Sequence, residues 1–290
     1  MNDFEVKEQV RQFYNRIGWQ MVGEGVYQNA RYEDLRPVSS EYIHRCHLRV
    51  KHFLKPDGVY LLDAGSGPIQ YPDYLVYSQD YRYRVCLDIS FVALEEARKR
   101  IEEHGLYVVA DVANLPFKPG VFEGVVSLHT LHHLPQEEQK TAYGELYRVL
   151  APGSSAVVVN GWTESILMKR LQWLVSLMER LGNQLERSRE TSASNKTGGE
   201  KDTQVQPAEP TGTYIHKQDA AWLRQQLNGK DVEIRCWRSV NVRFLRAVIH
   251  RSLGGRIWLK LLYWLEERFP HYFGEKGQYP LVIVRKGSHG

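Results

Sequence analysis

Leu61-Leu62-Asp63-Ala64-Gly65-Ser66-Gly67-Pro68 orders the rest of the chain around it. Its first part, with Val59 ahead of it, is an apolar run that reads as a buried strand. The strand passes directly into a glycine-rich turn. Glycine at 65 and 67 lets the backbone come close to a ligand, because a side chain at either position would take up that space. A nucleotide-like ligand is implied. A dinucleotide fingerprint would continue to a third glycine and seat a pyrophosphate against a helix N-terminus. Gln70 stands at that position, and Asp63 sets an acid ahead of the turn, so the phosphate reading is weakened.

Outward from this turn, short apolar runs closed by turn residues recur at Val59–Leu62, Arg84–Leu87, Leu106–Ala110, Gly124–Leu128 and Ser155–Val159. Helical stretches near Tyr71–Tyr77, Ser90–His104 and Glu137–Leu150 separate them. Val232–Trp237 and Pro280–Arg285 supply two later runs, with a helix at Asp219–Leu227 before them. Strands buried on both faces and alternating with helices predict an α/β fold. It is Rossmann-like and doubly wound, a mostly parallel seven-stranded sheet with helices on both faces.

The flanks divide around that core. Residues 1–55 read as an N-terminal helical cap, with Val6, Val10, Phe13, Tyr14 and Ile17 at helical spacing and an aromatic connection containing Trp19, Tyr27 and Tyr32. Residues 56–161 form the ligand-binding core. Residues 162–229 are an insert, with a helix over 163–187 and then 188–212, where Val205 is the one large apolar side chain. A segment of that composition cannot bury enough surface to offset its ordering entropy and is expected to be mobile. Residues 230–286 complete the sheet and carry an amphipathic stretch, Arg243–Phe269, interrupted by Gly254-Gly255. That stretch is expected to pack on its own domain. The last four residues read as a loose tail.

Composition sets broad limits. The 290 residues are 42% hydrophobic and 25% charged, ordinary globular values. The 38 basic residues are scattered among 34 acidic ones, leaving a net charge of +4 without a dense basic run. Nucleic acid is therefore not expected as a partner. Cys46, Cys86 and Cys236 show neither a C-x-x-C spacing nor a neighbouring pair of histidines, so no disulfide framework and no metal site are expected, and a reducing cytoplasm is the simplest setting. No apolar stretch approaches the length of a membrane span, so stable insertion is not expected either. Homodimerisation is left open.

Two further acids stand where strands end. Asp88, 25 residues after Asp63, closes the second run just ahead of a helix. A carboxylate there can accept two hydrogen bonds from vicinal ribose hydroxyls, or it can cap the helix, a task that Ser90 could take over. Asp111, in Ala110-Asp111-Val112-Ala113-Asn114-Leu115-Pro116-Phe117, closes the third run. It can accept from an adenine amine or merely stabilise a turn.

Taken together, Asp63-x-Gly65-x-Gly67, Asp88 and the Ala110-Asp111 to Phe117 run resemble the class I S-adenosylmethionine-dependent methyltransferase family. The likeness is strongest to the small-molecule branch typified by enzymes of ubiquinone and menaquinone biosynthesis. It extends through Phe122–Leu134 and Glu145–Gly153, covering roughly residues 55–160 in order. The resemblance implies that S-adenosylmethionine is the cofactor. It also implies that Gly65 and Gly67 pass beneath the amino-acid portion and ribose, with Asp63 orienting a loop that includes Ala64 and Ser66. Asp88, with Ile89 beside it, would bind the ribose hydroxyls, Asp111 and Val112 the adenine, and Leu128 and His129 would line the methionine side. Two positions depart from the pattern: Ile69 stands where a third glycine is frequent, and Glu123 where an aspartate is.

Methyl transfer needs an acceptor held in line with an already activated S–CH3 bond, and no metal or covalent nucleophile. Where the acceptor is a hydroxyl, a base must take its proton. His129 and His133 are preferred over His132 for that role, against the reading that the His-His-Leu-Pro stretch is a loop feature. Tyr14, Trp19, Tyr27, Tyr71 and Trp162 are candidates for a pocket that takes a small, aromatic or lipid-like acceptor. Two other functions compete: a nicotinamide-dependent oxidoreductase, and a partner subunit that binds the cofactor without catalysis.

Overall fold

The apolar runs do become strands. The protein is described here by a computed structural model covering residues 2–19, 21–23, 26–27, 33–194 and 213–288. The chain opens with α1 (Asp3–Phe13), started by a capping box in which Asn2 accepts from the Glu5 amide at 2.9 Å and the Glu5 carboxylate accepts from the Asn2 amide at 2.9 Å. A small antiparallel ribbon, β1 (Met21–Gly23) and β2 (Val26–Tyr27), precedes α2 (Ser40–Leu48). The core then runs β3 (Gly58–Ala64), β4 (Tyr81–Asp88), α3 (Phe91–Ile101), β5 (Gly105–Val109), β6 (Phe122–Leu128), α4 (Gln136–Val149) and β7 (Leu150–Val159). It is followed by α5 (Ile166–Ser194), α6 (Ala220–Gln226), β8 (Asp231–Arg238), α7 (Val242–Val248), α8 (Gly255–Arg268), α9 (Pro270–Lys276) and β9 (Tyr279–Arg285).

Among the described residues the main sheet has seven strands in the order β5-β4-β3-β6-β7-β9-β8. The first five pair in parallel, and β9 runs antiparallel to both of its neighbours. Strand order reverses between β3 and β6, and ligands of open α/β sheets sit at such a reversal, outside the carboxyl ends of the strands. The glycine turn at 65–67 leaves β3 at that point.

Each central strand is buried on both faces with a period of two. Leu62, Val85, Leu87, Val125, Ala156, Val158 and Val282 pack on one side with Tyr143 and Leu146 of α4 and Leu223 of α6. Leu61, Cys86, Val126, Val157, Val159 and Ile283 pack on the other with Leu94 and Ala97 of α3 and with Tyr74 and Tyr77. A third apolar cluster joins α2, α5, α7 and α8 through Ile43, Val175, Leu245 and Leu259. Glu266 fastens this layer to the sheet: fully buried, it accepts from Arg49 at 3.0 Å, from the Tyr42 hydroxyl at 2.7 Å and from the Ser239 amide at 2.9 Å.

The expectation of a mobile segment over 188–212 is not met at its start. The backbone remains helical through Ser194, so residues 188–194 extend α5, and 195–212 lie outside the described residues. Two elements were not anticipated. One is the β1–β2 ribbon; the other is α9, a short helix whose Pro270 sits in its first turn, where a missing amide costs nothing.

Candidate active site

The carboxyl ends of β3, β4, β5 and β6 form one side of a cavity of about 310 Å³. Its wall includes Asp63, Gly65, Ser66, Gly67, Asp88, Ile89, Asp111, Val112, Leu128 and His129, all expected cofactor contacts. Ala64 is the exception. Its side chain lies in the sheet core, and its carbonyl accepts from the Ser127 hydroxyl at 2.8 Å, because the alternation along β3 turns residue 64 away from the opening.

The glycine turn is held by its neighbours as much as by any ligand. Gly65 has φ +76°, and a Cβ there would stand 2.2 Å from the Thr130 side chain. Gly67 has φ +53°, and a Cβ there would meet the Trp19 ring at 2.9 Å. Ile69 is left-handed as well, at φ 54°, so the turn keeps its bent path without a third glycine. Asp63 is occupied by a group that the sequence reading passed over. Arg84, buried in β4, donates to it through Nε at 3.0 Å and reaches the Tyr74 carbonyl with Nη1 at 2.6 Å.

Asp88 ties the second strand end to the turn, accepting from the Gly67 amide at 2.9 Å and the Ser90 amide at 2.8 Å. Ser90 caps α3 by accepting from the Ala93 amide at 3.2 Å, which leaves Asp88 facing the cavity. Burial pushes the Asp88 carboxyl up to about 6, against the pull of these backbone donors. Each carboxylate oxygen can accept a further hydrogen bond, and two vicinal ribose hydroxyls would supply them. Asp111 does two things: one oxygen accepts from the Ala113 amide at 2.8 Å and closes the turn, and the other accepts from Lys7 of α1 at 2.7 Å. Lys7 also reaches Glu138 at 2.7 Å, so α1 spans this end of the cavity.

The opposite wall is drawn from segments far apart in sequence. Tyr14, Trp19 and Tyr71 line it, together with Glu33, Thr213, Lys217, Arg238 and Tyr279, none of which carried a signal in the sequence. Tyr14 and Trp19 stack with ring centroids 5.2 Å apart. Trp162 does not reach the cavity: its indole is buried in the main core and donates to the Gly274 carbonyl at 2.7 Å. The Tyr27 side chain lies outside the described residues. Arg238 is ion-paired with Glu33, whose carboxyl is held down at about 2: burial opposes its charge, and Arg238 and His47 outweigh burial. Residues 213–218 form a strap that brings Thr213, Ile215 and Lys217 to the cavity. The His216 amide donates to the His132 carbonyl at 2.7 Å and the Thr163 amide to the Gln218 carbonyl at 3.0 Å.

The histidines differ in what their rings can do. Nδ1 of His133 lies 2.8 Å from the Tyr214 carbonyl, which can only accept, so this nitrogen carries the proton. Nε2 is then the acceptor, and Tyr14 Oη stands 2.8 Å from it. The basic nitrogen of His133 is thus engaged by a phenol. His129 has no hydrogen-bond partner for its ring among the described residues, and it sits edge-on to Trp237 and Tyr279 with centroids 5.0 and 5.7 Å away. Its backbone is left-handed at φ 56°, rare for a residue other than glycine, and its amide donates to the Val159 carbonyl at 2.7 Å. Burial, then the nearby Arg238, lowers its pKa to about 3; burial lowers that of His133 to about 4. Both rings are neutral at neutral pH.

A Rossmann-like sheet whose strand ends offer acids to an adenosine, without a pyrophosphate turn, is the fold of the class I S-adenosylmethionine-dependent methyltransferases. Residues 62–158 match the model of the methyltransferase domain family, a likeness that gives S-adenosylmethionine as the cofactor. The 18S rRNA (guanine-N(7))-methyltransferase of Bos taurus is 34% identical over 109 residues, covering 34% of this chain and 38% of that enzyme. The demethylmenaquinone methyltransferase of Thermus thermophilus is 41% identical over 66 residues, covering 22% of this chain and 29% of that enzyme. This chain therefore spans well under half the length of these curated relatives. The solved DhpI–SAH complex superposes with a TM-score of 0.54 over 99% of both chains at 11% identity, a likeness of fold. The expectation that nucleic acid is not a partner is overturned by these matches, since the curated relatives include enzymes named for ribosomal and transfer RNA. Scattered charge was the wrong criterion, because the matched domain is one that RNA-modifying proteins also carry.

Proposed function

We propose that this chain transfers the methyl group of S-adenosylmethionine to an oxygen, carbon or nitrogen of a small acceptor seated at the inner end of the cavity. When bound, S-adenosylmethionine would supply a methyl group activated on its sulfonium, the neutral thioether keeping the S–CH3 bonding pair. The chain's own residues bind and align. Asp88 receives the ribose hydroxyls, Asp111 and Val112 face the adenine, and Leu128 and His129 border the methionine end. Holding the acceptor in line is worth about 7–11 kcal/mol of the barrier. Where that atom is a hydroxyl, His129 accepts its proton at the free ring nitrogen, whereas His133 can do so only by giving up Tyr14.

The observation that carries this reading is that Tyr14, Trp19 and Tyr71 line the same cavity as a neutral His129. A flat or lipid-like molecule fits such a wall. The three buried, unpaired thiols support a reducing, cytoplasmic setting. A second reading is an RNA nucleobase as acceptor, favoured by the curated relatives named for ribosomal and transfer RNA. Incubation with tritiated S-adenosylmethionine and, separately, a metabolite extract or total RNA distinguishes the two. Label in the organic-soluble fraction supports the small acceptor, label in nuclease-sensitive material supports RNA, and no cofactor-dependent label in either removes methyl transfer. Calorimetry with S-adenosylhomocysteine and NAD separates the oxidoreductase alternative, which requires tight NAD binding.

A further inference from the structure

Surface helices ordinarily turn their apolar stripe inward. In α8, whose inward face packs Leu259, Leu262 and Tyr263 on the core, a second apolar stripe faces outward. Ile257, Leu261 and Trp264 follow one another at spacings of four and three and are 73%, 44% and 58% exposed. Trp258, 60% exposed, flanks them, and Leu253 and Phe269 continue the patch beyond the two ends of the helix. The inward face holds Leu259 and the fully buried Glu266, whose network with Arg49, Tyr42 and Ser239 fixes which side of the helix meets the protein. The outward exposure is therefore set by buried polar bonds.

Charge decides what the stripe faces. Arg251, Arg256, Lys260 and Arg268 border it, all exposed. The one exposed acid on α8, Glu267, is paired with Arg49 at 2.8 Å. A two-fold contact with a second copy would press this basic border against itself, since an isologous interface meets its own residues. An amphipathic helix with Trp, Leu and Ile on one side and Lys and Arg around them instead suits the boundary of an anionic bilayer. Among the described residues no helix is long and apolar enough to cross a membrane, so contact is confined to the interface.

We propose that α8 is a peripheral membrane-docking surface that lays Ile257, Trp258, Leu261 and Trp264 into the headgroup region of an anionic lipid surface, with Arg256, Lys260 and Arg268 on its phosphates. The test is co-sedimentation with vesicles of phosphatidylcholine alone and of phosphatidylcholine mixed equally with phosphatidylglycerol. The full chain is compared with the Ile257→Ser/Trp264→Ser and Arg256→Gln/Lys260→Gln double variants. The chain sediments with the anionic vesicles, less so as salt rises. The basic double variant weakens binding by about fivefold for each charge removed, and the apolar variant abolishes it. Because all four side chains are exposed, both variants keep the melting temperature and the S-adenosylhomocysteine affinity of the parent, which separates loss of docking from loss of fold. No sedimentation with anionic vesicles, sedimentation that both variants leave unchanged, or a solution dimer that the apolar variant dissociates would each overturn the proposal.

Discussion

At one end of the cavity Asp88 and Asp111 stand at the ends of the adjacent strands β4 and β5, and the glycine turn leaves β3 on the other side of β4. At the other, the wall is assembled from Tyr14 and Trp19 beyond α1, the residue-33 region, the strap at 213–218, and the residues that end β8 and begin β9. The first end is fixed by the sheet itself, whose backbone bonds place each acid. The second exists only once remote segments have docked. On the proposed function the strand-built end holds the cofactor and the docked end the acceptor; the two can change independently, and substitutions should therefore separate binding of the cofactor from turnover.

The largest effect is expected at the turn. Gly65→Val puts a branched side chain at φ +76°, in the space of Thr130, and abolishes S-adenosylhomocysteine binding in calorimetry. Next is His129→Gln, which removes the free ring nitrogen. For a hydroxyl acceptor, turnover falls by roughly 10²–10⁴-fold while S-adenosylhomocysteine affinity stays within a few-fold. A matched loss of both would merge the two ends of the cavity into one unit.

Asp88→Asn should weaken S-adenosylhomocysteine binding by roughly tenfold to a hundredfold, the cost of about 1.5–3 kcal/mol for hydrogen bonds to a charged group. It also carries a pH signature. The Asp88 carboxyl is raised to about 6 in the folded chain, so the fold is favoured while Asp88 holds its proton, and that contribution fades as pH rises through 6. Hydroxyl donors favour the carboxylate, so affinity should climb as pH rises to about 6 and level off above it; in Asp88→Asn the dependence vanishes. The smallest effect concerns Lys7. Lys7→Met frees one oxygen of Asp111 for the adenine amine, and affinity rises by at most about fivefold, the scale of a partly exposed ion pair. A fall of that size would place Lys7 within the cofactor site.

The same contrast accounts for what the sequence disclosed. The strands were legible because their runs are apolar on both faces and end in turn residues, and β3 to β9 lie where those runs stand. Asp88 and Asp111 were legible because a strand end is a position in sequence as well as in space. Arg84 was missed since a charged residue inside a strand reads as its exposed face, yet here it answers Asp63. Lys7, Glu33, Lys217, Arg238 and Tyr279 had no local pattern to mark them, because only tertiary packing brings them to the cavity. Trp162 shows the converse: a large aromatic beside a strand end was legible as a pocket residue, and its indole instead closes the core on α9. The amphipathic character of α8 was plain, but α8 is apolar on two sides, and Glu266 together with Leu259 and Leu262 decides which one faces inward.

His129 keeps its left-handed backbone although a side chain is disfavoured there by about 1–2 kcal/mol. Selection for folding alone would settle glycine at that position, since glycine adopts the conformation freely. His129→Gly is thus expected to melt higher than the parent and to turn over more slowly. Thermal denaturation and the tritium assay together would show the chain holding a less stable backbone for the sake of one imidazole.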